Sequence, residues 1–382
     1  MTSRNKVLFP RLRTAMARLL VVGIVGSLAV VACRQRPTST PAAERSWPAM
    51  GSFATIALPG STDPAVVSKV AEAARVTIAD VENELSSFLP DSAVSRLNRI
   101  SGQPQRIPLR PVAAEIFKIS DDAFRASGGA FDPTVGPLLH LWGFRGTNAP
   151  PAPPDAGAIA STARLIGWTN VVWNEESARL TVEGMQLDFG AVAKGYGVDA
   201  AFDQLRRRGC TDLMVNLGGN LRCEGSARPG RRGWVVAVRD PYLPYGEGSV
   251  GTLTLTDGRA TATSGRYERF VEIKGRRYAH VIDPRNGQPV SGLAQVTVVA
   301  DSAAEADALS TALFVLGPEA GAALLRLHYP TVQALFIPDP PGGEEPKALG
   351  TDGFLKELRP TASWKRRLYP LPLATTPPPP SP

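Results

Sequence analysis

Histidine and cysteine are scarce, three of each in 382 residues. No Cys/His set carries the spacing of a zinc site. The three cysteines are Cys33, Cys210 and Cys223. Outside the cytoplasm Cys210 and Cys223 are permitted to pair, but spacing alone does not establish a bridge, and the expectation is two buried free thiols. A Walker A loop, a Rossmann fingerprint and a Ser-His-Asp nucleophile elbow are also missing, which sets aside the nucleotide-binding and hydrolase classes those motifs mark. There is no internal repeat. The net charge of +7 is unevenly spread, because Arg4, Lys6, Arg11, Arg13 and Arg18 crowd the N-terminus and Lys365, Arg366 and Arg367 form a smaller cluster near the C-terminus. Without the first cluster most of the excess disappears, so nucleic acid is not an expected partner.

What is present begins with that N-terminus. The basic cluster precedes an apolar run from Leu19 to Ala32, shorter than the ~20 residues a membrane-spanning helix needs. This is the pattern of a secretory signal. It ends at Ala32-Cys33, which looks like a lipobox, with Val30 where Leu is usual three places before the cysteine. Cys33 is then expected to carry a lipid and tether the protein to a membrane on the extracytoplasmic side. The expected organisation is a signal over 1–33, a Pro/Ser/Thr-rich tether over 34–46, one globular domain over 47–345 and a largely Pro-rich extension over 346–382, without order from Tyr369 onward. The length allows two or three average domains or one large unit, and 43% hydrophobic residues are ample for a core.

Within the globular part, Val66, Val67, Val70, Ala74, Ile78, Val81 and Leu85 follow helical spacing. Further helices are expected over Pro111 to Ala126, Ala193 to Arg208 and Ala303 to Leu316, the last closed by Gly317-Pro318. Val171 to Trp173 and Arg179 to Val182 read as a hairpin, and short strands are expected over Trp234 to Val238, Gly251 to Leu255, Tyr267 to Ile273 and Gln295 to Val299. Strands and helices mix without a regular βαβ alternation, so the fold class is α+β, a single large domain.

The chemistry-bearing residues form a short series. In Gln186-Leu-Asp-Phe-Gly-Ala-Val-Ala-Lys-Gly-Tyr-Gly-Val-Asp199 a strand is expected to hand over to a helix, and backbone N–H groups beside Lys194 suit an anionic phosphate. Thr263-Ser264-Gly265 offers two hydroxyls and exposed backbone, as turn chemistry or as a phosphate contact. Asp307 and Thr311 lie four apart on one helix face, hard oxygen ligands suited to Mg²⁺; the alternative is an acid on the helix dipole and a threonine bonded to a carbonyl. His280, just before Asp283-Pro284, is the candidate base; His140 and His328 read as structural. Asp132, between a Gly-Gly turn and a proline, either bonds its own turn or meets a ligand hydroxyl. Asn216-Leu-Gly-Gly-Asn220 lets backbone approach something closely.

Taken in order, these segments resemble the ApbE family of FAD:protein FMN transferases. The resemblance is carried by Met50-Gly-Ser-Phe53, Glu84-Leu-Ser-Ser-Phe-Leu-Pro-Asp-Ser92 with Ser95-Arg-Leu-Asn98, Ala130-Phe-Asp-Pro-Thr-Val-Gly-Pro137, Leu141-Trp-Gly-Phe144 and Leu187-Asp-Phe-Gly-Ala-Val-Ala-Lys-Gly195. It continues through Asn216-Leu-Gly-Gly219, Thr263-Ser-Gly265, His280-Val-Ile-Asp-Pro284 and Ala306-Asp307 with Thr311. It spans roughly Trp47 to Pro338. The resemblance implies a Mg²⁺-dependent enzyme on the ApbE fold that cleaves FAD, releases AMP and esterifies FMN to a Thr or Ser of a partner protein, in all expectation a membrane redox-complex subunit. It further implies a FAD site lined by Met50, Phe88, Ala130, Phe131, Asp132, Asp188, Lys194 and Val281, with Phe88 where some relatives have Tyr. Thr263, Ser264 and Gly265 join that site as phosphate contacts, and the Ala191 carbonyl joins Asp307 and Thr311 on the metal. Lys194 is expected to stabilise phosphoryl charge, His280 to take the acceptor proton, and Asp283 to orient His280. Two rivals stay open: a Mg²⁺-dependent FAD pyrophosphatase that uses water, and a lipid-anchored FAD-holding protein without turnover. His280, Asp307 and Thr311 together disfavour the second.

Overall fold

A computed structural model describes residues 42–146, 150–228, 230–340, 342 and 344–372. The signal, Cys33 and most of the tether lie outside the described residues. A nine-stranded sheet organises the molecule, in the order Ala43–Ala49, Ser52–Leu58, Leu213–Leu217, Asn220–Glu224, Ala260–Gly265, Leu293–Ala300, Gln333–Pro338, Ala348–Gly350 and Leu368–Pro370. All neighbours are antiparallel except the last pair. Leu293–Ala300 is buried along its whole length, because both faces of the sheet are covered.

Four helices cover one face. Pro64–Leu85 and Ala193–Arg207 enclose Ile56, Ile78, Phe202 and Val215, and the long Ala303–His328 helix packs with Pro111–Ala126 over Val296, Val298 and Phe336. Apolar residues recur at helical spacing on each, so each presents a stripe to the sheet. The long helix is apolar enough by composition to cross a membrane, but its buried residues line this core. It extends past the expected end at Leu316: Gly317 (φ 76°, ψ 178°) breaks it and Pro318 starts a second segment that reaches His328. Pro suits that first-turn position because its missing N–H would be unsatisfied there anyway.

The opposite face is covered by the antiparallel strands Trp234–Arg239, Ser249–Leu255 and Arg359–Pro360 and by the segment that follows Gly350. Two expected boundaries move. Ala43–Ser46, taken as tether, pairs with Thr55–Leu58. Residues 348–372 are integral to the domain: Phe354 and Trp364 are buried against Trp234, Val250 and Leu255, and Leu368–Pro370 pairs in parallel with Ala348–Gly350. Their strands are two or three residues long, too short for a periodic signal, and tertiary burial holds them. Cys223 is buried, with its thiol pushed up to about 12 by that burial, and Cys210 is half-buried; both are free.

Candidate active site

The site begins where the Ala193–Arg207 and Ala303–His328 helices meet at their N-termini. Asp199, on the first helix, accepts from the N–H groups of Ala303 (2.9 Å) and Ala304 (2.8 Å) at the start of the second. Arg222 Nη1 donates to the same carboxylate at 3.0 Å. Burial pushes the Asp199 pKa up, against those bonds. Gly195 is where the two helices touch: a Cβ there would collide with the Ala303 carbonyl and lie 2.8 Å from Ala304 Cα. Gly195→Ala is therefore expected to cost about 3 kcal/mol by overpacking and to lower the melting temperature by roughly 6 °C or more. An unchanged melting curve would mean that this crossing is not fixed by the missing side chain.

That close approach also satisfies one helix-end donor. Gly195 N–H, third in its helix and so without an intrahelical acceptor, donates to Asp307 Oδ2 at 2.9 Å. Among the described residues the Ala191 carbonyl, just before the helix, receives no hydrogen bond. It is free to act as a ligand. Lys194 Nζ lies 3.9 Å from Asp307 Oδ2 and donates to Gly190 O at 2.8 Å. Val192 supplies no capping side chain to the Ala193–Arg207 helix; Ala193 N–H is held by Phe189 O and Gly195 N–H by Asp307, so the helix dipole and Lys194 are what favour an anion there.

Hydroxyls complete this centre. Ser264 Oγ lies 2.8 Å from Ser310 Oγ and 3.4 Å from Thr311 Oγ1, and Ser310 Oγ donates to Asp307 O at 2.9 Å. Ser310 is thus the buried link between the strand and the helix turn that bears Asp307 and Thr311. Thr263-Ser264-Gly265 ends a strand and is not the expected turn. Strand alternation therefore separates its two hydroxyls: Ser264 faces the helix, while Thr263 Oγ1 meets Thr297 Oγ1 at 3.0 Å on the other face. Thr263 is removed from the centre for that reason.

The segment before Lys194 also differs from expectation. No strand precedes the helix; Gln186 makes one isolated bridge to Val135. Extended backbone is held instead by Asn98, which accepts from Leu187 N (2.7 Å) and donates to Leu187 O (3.0 Å), and by Asp188 N–H donating to Pro133 O at 2.7 Å. Asp188 Oδ1 accepts from Gly190 N at 2.8 Å and its carboxylate pairs with Arg145. Asp132 is occupied inside the protein: Oδ1 accepts from Thr134 N (2.8 Å) and Oγ1 (2.6 Å), and Oδ2 from Trp168 N (3.1 Å). It stabilises its own turn, and burial raises its pKa. Ala130, Phe131 and Val281 are buried in the core. Met50 turns at φ 48° and donates its N–H to Glu82 at 3.1 Å. The neighbouring Gly218 turn (φ 63°) packs on Ser52 and Lys194, where a Cβ would sit 2.8 Å from Ser52 Oγ.

His280 enters from a hairpin. Phe270–Ile273 pairs with Arg276–Ala279, and the next residues outward, Arg269 and His280, stay together through His280 N–H donating to Arg269 O at 3.2 Å. His280 Nδ1 also lies 3.2 Å from that carbonyl. A carbonyl only accepts, so Nδ1 carries the proton and Nε2 is left as an acceptor. His280 is half-buried; crowding by protein, then the positive charges of Arg269 and Lys194, push the imidazole down to about 4, and the solvent on its exposed side tempers that fall. The ring is neutral at physiological pH, and Lys194 is within electrostatic reach of it. Asp283 does not orient His280. It binds Arg285 in bidentate fashion at 2.8 and 2.9 Å and turns the chain through its carbonyl to Gly287 N at 2.8 Å. Trp142 Nε1 donates to Gly287 O at 2.9 Å, which ties the Leu141-Trp-Gly-Phe144 segment to this turn.

Glu268, Arg269 and Arg145 were missed by the sequence reading, which left open whether Ser310 reaches the site. Glu268 touches solvent on the open face of the site but is flanked by protein charge. Crowding by protein, then Asp307, raises its carboxyl to about 7 against Lys194, Arg239 and Arg269, and the solvent on its exposed side tempers that rise. No motif marks Glu268, Arg269 or Arg145, since their partners come from distant segments. Two hollows of about 240 Å³, one lined by Asp212, Arg231 and Asp257 and the other by Glu115, Glu305 and Tyr329, share no residue with this centre.

The donor set is all oxygen: the Asp307 carboxylate, the Thr311 hydroxyl and the free Ala191 carbonyl. Among the described residues no cluster of three His, Cys, Asp or Glu exists to cage a metal. One carboxylate with neutral oxygens fits Mg²⁺, which usually keeps waters and shares a substrate phosphate.

Comparison with known proteins bears on this geometry. The model of the ApbE family matches residues 50–336. A FAD:protein FMN transferase of Haemophilus influenzae is 30% identical over 308 residues, covering 78% of this chain and 87% of its own. One from Treponema pallidum is 36% identical over 272 residues, 67% of this chain and 73% of its own. Among solved structures, the flavin transferase ApbE of Vibrio cholerae superposes with a TM-score of 0.72 at 28% identity, covering 83% of this chain and all of that one. The apo flavinyl transferase ApbE of Pseudomonas stutzeri gives 0.70 at 32% identity over 83% of this chain and 96% of its own. In sequence and in fold, over nearly the whole globular domain, the chain belongs to the ApbE family.

Proposed function

We propose that this protein is a Mg²⁺-dependent FAD:protein FMN transferase that joins FMN through a phosphoester to a Thr or Ser hydroxyl of an extracytoplasmic partner. The observation that carries this reading is the Asp307 carboxylate, one helical turn before Thr311, 3.9 Å from Lys194 and bonded to the Gly195 N–H in the first turn of the neighbouring helix. The enzyme class is that of its relatives, and the partner is a protein because the transfer needs an acceptor. Asp307, Thr311 and Ala191 O would hold the metal, which when bound supplies positive charge to the pyrophosphate and its leaving group.

The residues of the chain do the rest. Lys194, at the positive end of its helix dipole, holds the phosphoryl oxygens and stabilises charge as it builds there. His280 Nε2 takes the proton of the acceptor hydroxyl as its oxygen bonds to the FMN phosphorus and the bond to the AMP oxygen breaks. Arg269 O fixes the tautomer that makes this possible. The lipobox-like Ala32-Cys33 supports tethering on the extracytoplasmic face of a membrane, next to acceptors that are themselves membrane redox subunits.

Soluble protein starting at Ala42, with FAD, Mg²⁺ and an acceptor bearing a Ser/Thr-Gly-Ala-Thr segment, is expected to yield an acceptor heavier by one FMN in intact-mass spectrometry, and EDTA is expected to abolish the adduct. AMP and free FMN without adduct would replace transfer by hydrolysis. Intact bound FAD with neither product would overturn the catalytic reading.

A further inference from the structure

Phe88 is an aromatic ring left 69% exposed, in a turn fixed by Ser92 Oγ donating to Ser86 O at 2.6 Å and Phe88 N–H donating to Ser86 Oγ at 3.2 Å. One face of the ring is covered by a guanidinium: Arg145 Cζ stands 4.0 Å from its centroid. Arg145 is anchored by its N–H to Leu139 O at 3.2 Å. Its side chain is only 13% exposed and Asp188, its ion-pair partner, 8%. Such a pair is costly to bury and is weak grounds for stability on its own. The Arg145 guanidinium is also held close to a second cation, Arg269, and together with burial this lowers its pKa to about 10. It stays charged at neutral pH, facing a site that already carries Lys194 and Arg269. Asp188 pairs with Arg145 and Asp307 stands 3.9 Å from Lys194, so two carboxylates only partly offset the three cations Arg145, Lys194 and Arg269. The arrangement is therefore suited to a ligand that brings negative charge and a planar ring together.

We infer that Arg145 and Phe88 are the two walls of a slot for a planar ring of FAD, guanidinium on one face and phenyl on the other. This rests on the flavin reading above and adds Arg145 to it. The geometry fits in three respects. Carbon atoms pack at ~3.5–4.0 Å, so the 4.0 Å contact is the slot closed on itself, and a ring enters when the guanidinium lifts by one layer. A guanidinium stacks on aromatic faces where an ammonium does not. Asp188, which orients Arg145, also accepts from Gly190 N, and Gly190 O accepts from Lys194 Nζ. A continuous run of polar contacts thus joins the slot to the phosphate centre, at the ends of one ligand that has rings and phosphates. The residue following Leu141-Trp-Gly-Phe144 thereby becomes a determinant of FAD affinity.

The test is calorimetric titration of the full-length protein in EDTA, which prevents turnover, with FAD, FMN and AMP as separate ligands. Arg145→Ala is expected to raise the Kd for FAD about tenfold or more, and Arg145→Lys nearly as much, since lysine keeps the charge but not the plane. The same loss should appear with FMN if the isoalloxazine is the stacked ring, or with AMP if it is the adenine, and not with both. Phe88→Ala, at an exposed position where folding is not at stake, should reproduce the loss from the other wall. FAD affinity unchanged in Arg145→Ala, or fully restored in Arg145→Lys, would overturn the slot. If the wild-type protein binds FAD while Phe88→Ala binds it equally well, the slot fails and the flavin reading stands. No binding of FAD by the wild type would remove both.

Discussion

Asp307→Ala should reduce Mg²⁺-dependent AMP release from FAD by at least about a thousandfold, the order by which single electrostatic groups at a reacting centre act. The substitution removes the only carboxylate among the three oxygens expected to hold the metal, and it also releases Gly195 N–H, which donates to that carboxylate at 2.9 Å. Both effects act on the site: the metal loses its charged ligand, and Gly195 N–H loses its acceptor. FAD binding measured in EDTA should change only a few-fold, because Lys194 loses its 3.9 Å partner and is left more available to phosphate. Turnover within tenfold of wild type at saturating Mg²⁺ would exclude Asp307 as a ligand. Asp307→Asn separates the effects: it keeps an acceptor for Gly195 and lacks the charge, so its activity should be as low and its melting temperature closer to wild type.

His280→Gln should slow FMN transfer by about 10²–10⁴-fold, the usual contribution of a general base, while the Km for FAD stays near its wild-type value. The pH profile carries the stronger prediction. The imidazole is held down to about 4 in the ligand-free protein, and the neutral form is the active one. Activity read as kcat/KM should therefore hold as pH falls through 6.5 and decline only toward 4. Bound pyrophosphate brings negative charge near the ring, which favours imidazolium and raises its pKa. The acid limb of kcat should accordingly lie at higher pH than that of kcat/KM. The wild-type acid limb should be missing in His280→Gln. An acid limb in kcat/KM near the ordinary histidine value, retained in the variant, would assign that ionisation to another group.

The helices of this fold were legible because burial imposes a period. Residues spaced from Val67 to Leu85 line one face, and Pro111–Ala126 and Ala193–Arg207 fall where composition and terminators place them. The C-terminal strands were not legible, because three residues carry no period and Trp364 is buried only by contact with strands far away in sequence. Within the site, the residue types announced the chemistry: a lysine at a helix N-terminus, an acid and a hydroxyl four apart, and a histidine among apolar neighbours. The pairing did not follow from proximity in sequence. Asp283, three residues from His280, turns to Arg285, and the backbone of Arg269 holds the imidazole instead.

By itself, then, the sequence determined the fold class, the family and the kinds of group available for phosphoryl chemistry, since these depend on local spacing and on which atoms a side chain carries. Only the tertiary structure decided which of those atoms are free to act. Thr263 and Ser264 are neighbours in the chain but lie on opposite faces of the sheet, and only Ser264 reaches the centre. Gly195 N–H is an ordinary helix-end donor until two helices meet there and Asp307 accepts from it. A hydrogen bond has one destination at a time, and that destination is set by where the chain folds back on itself.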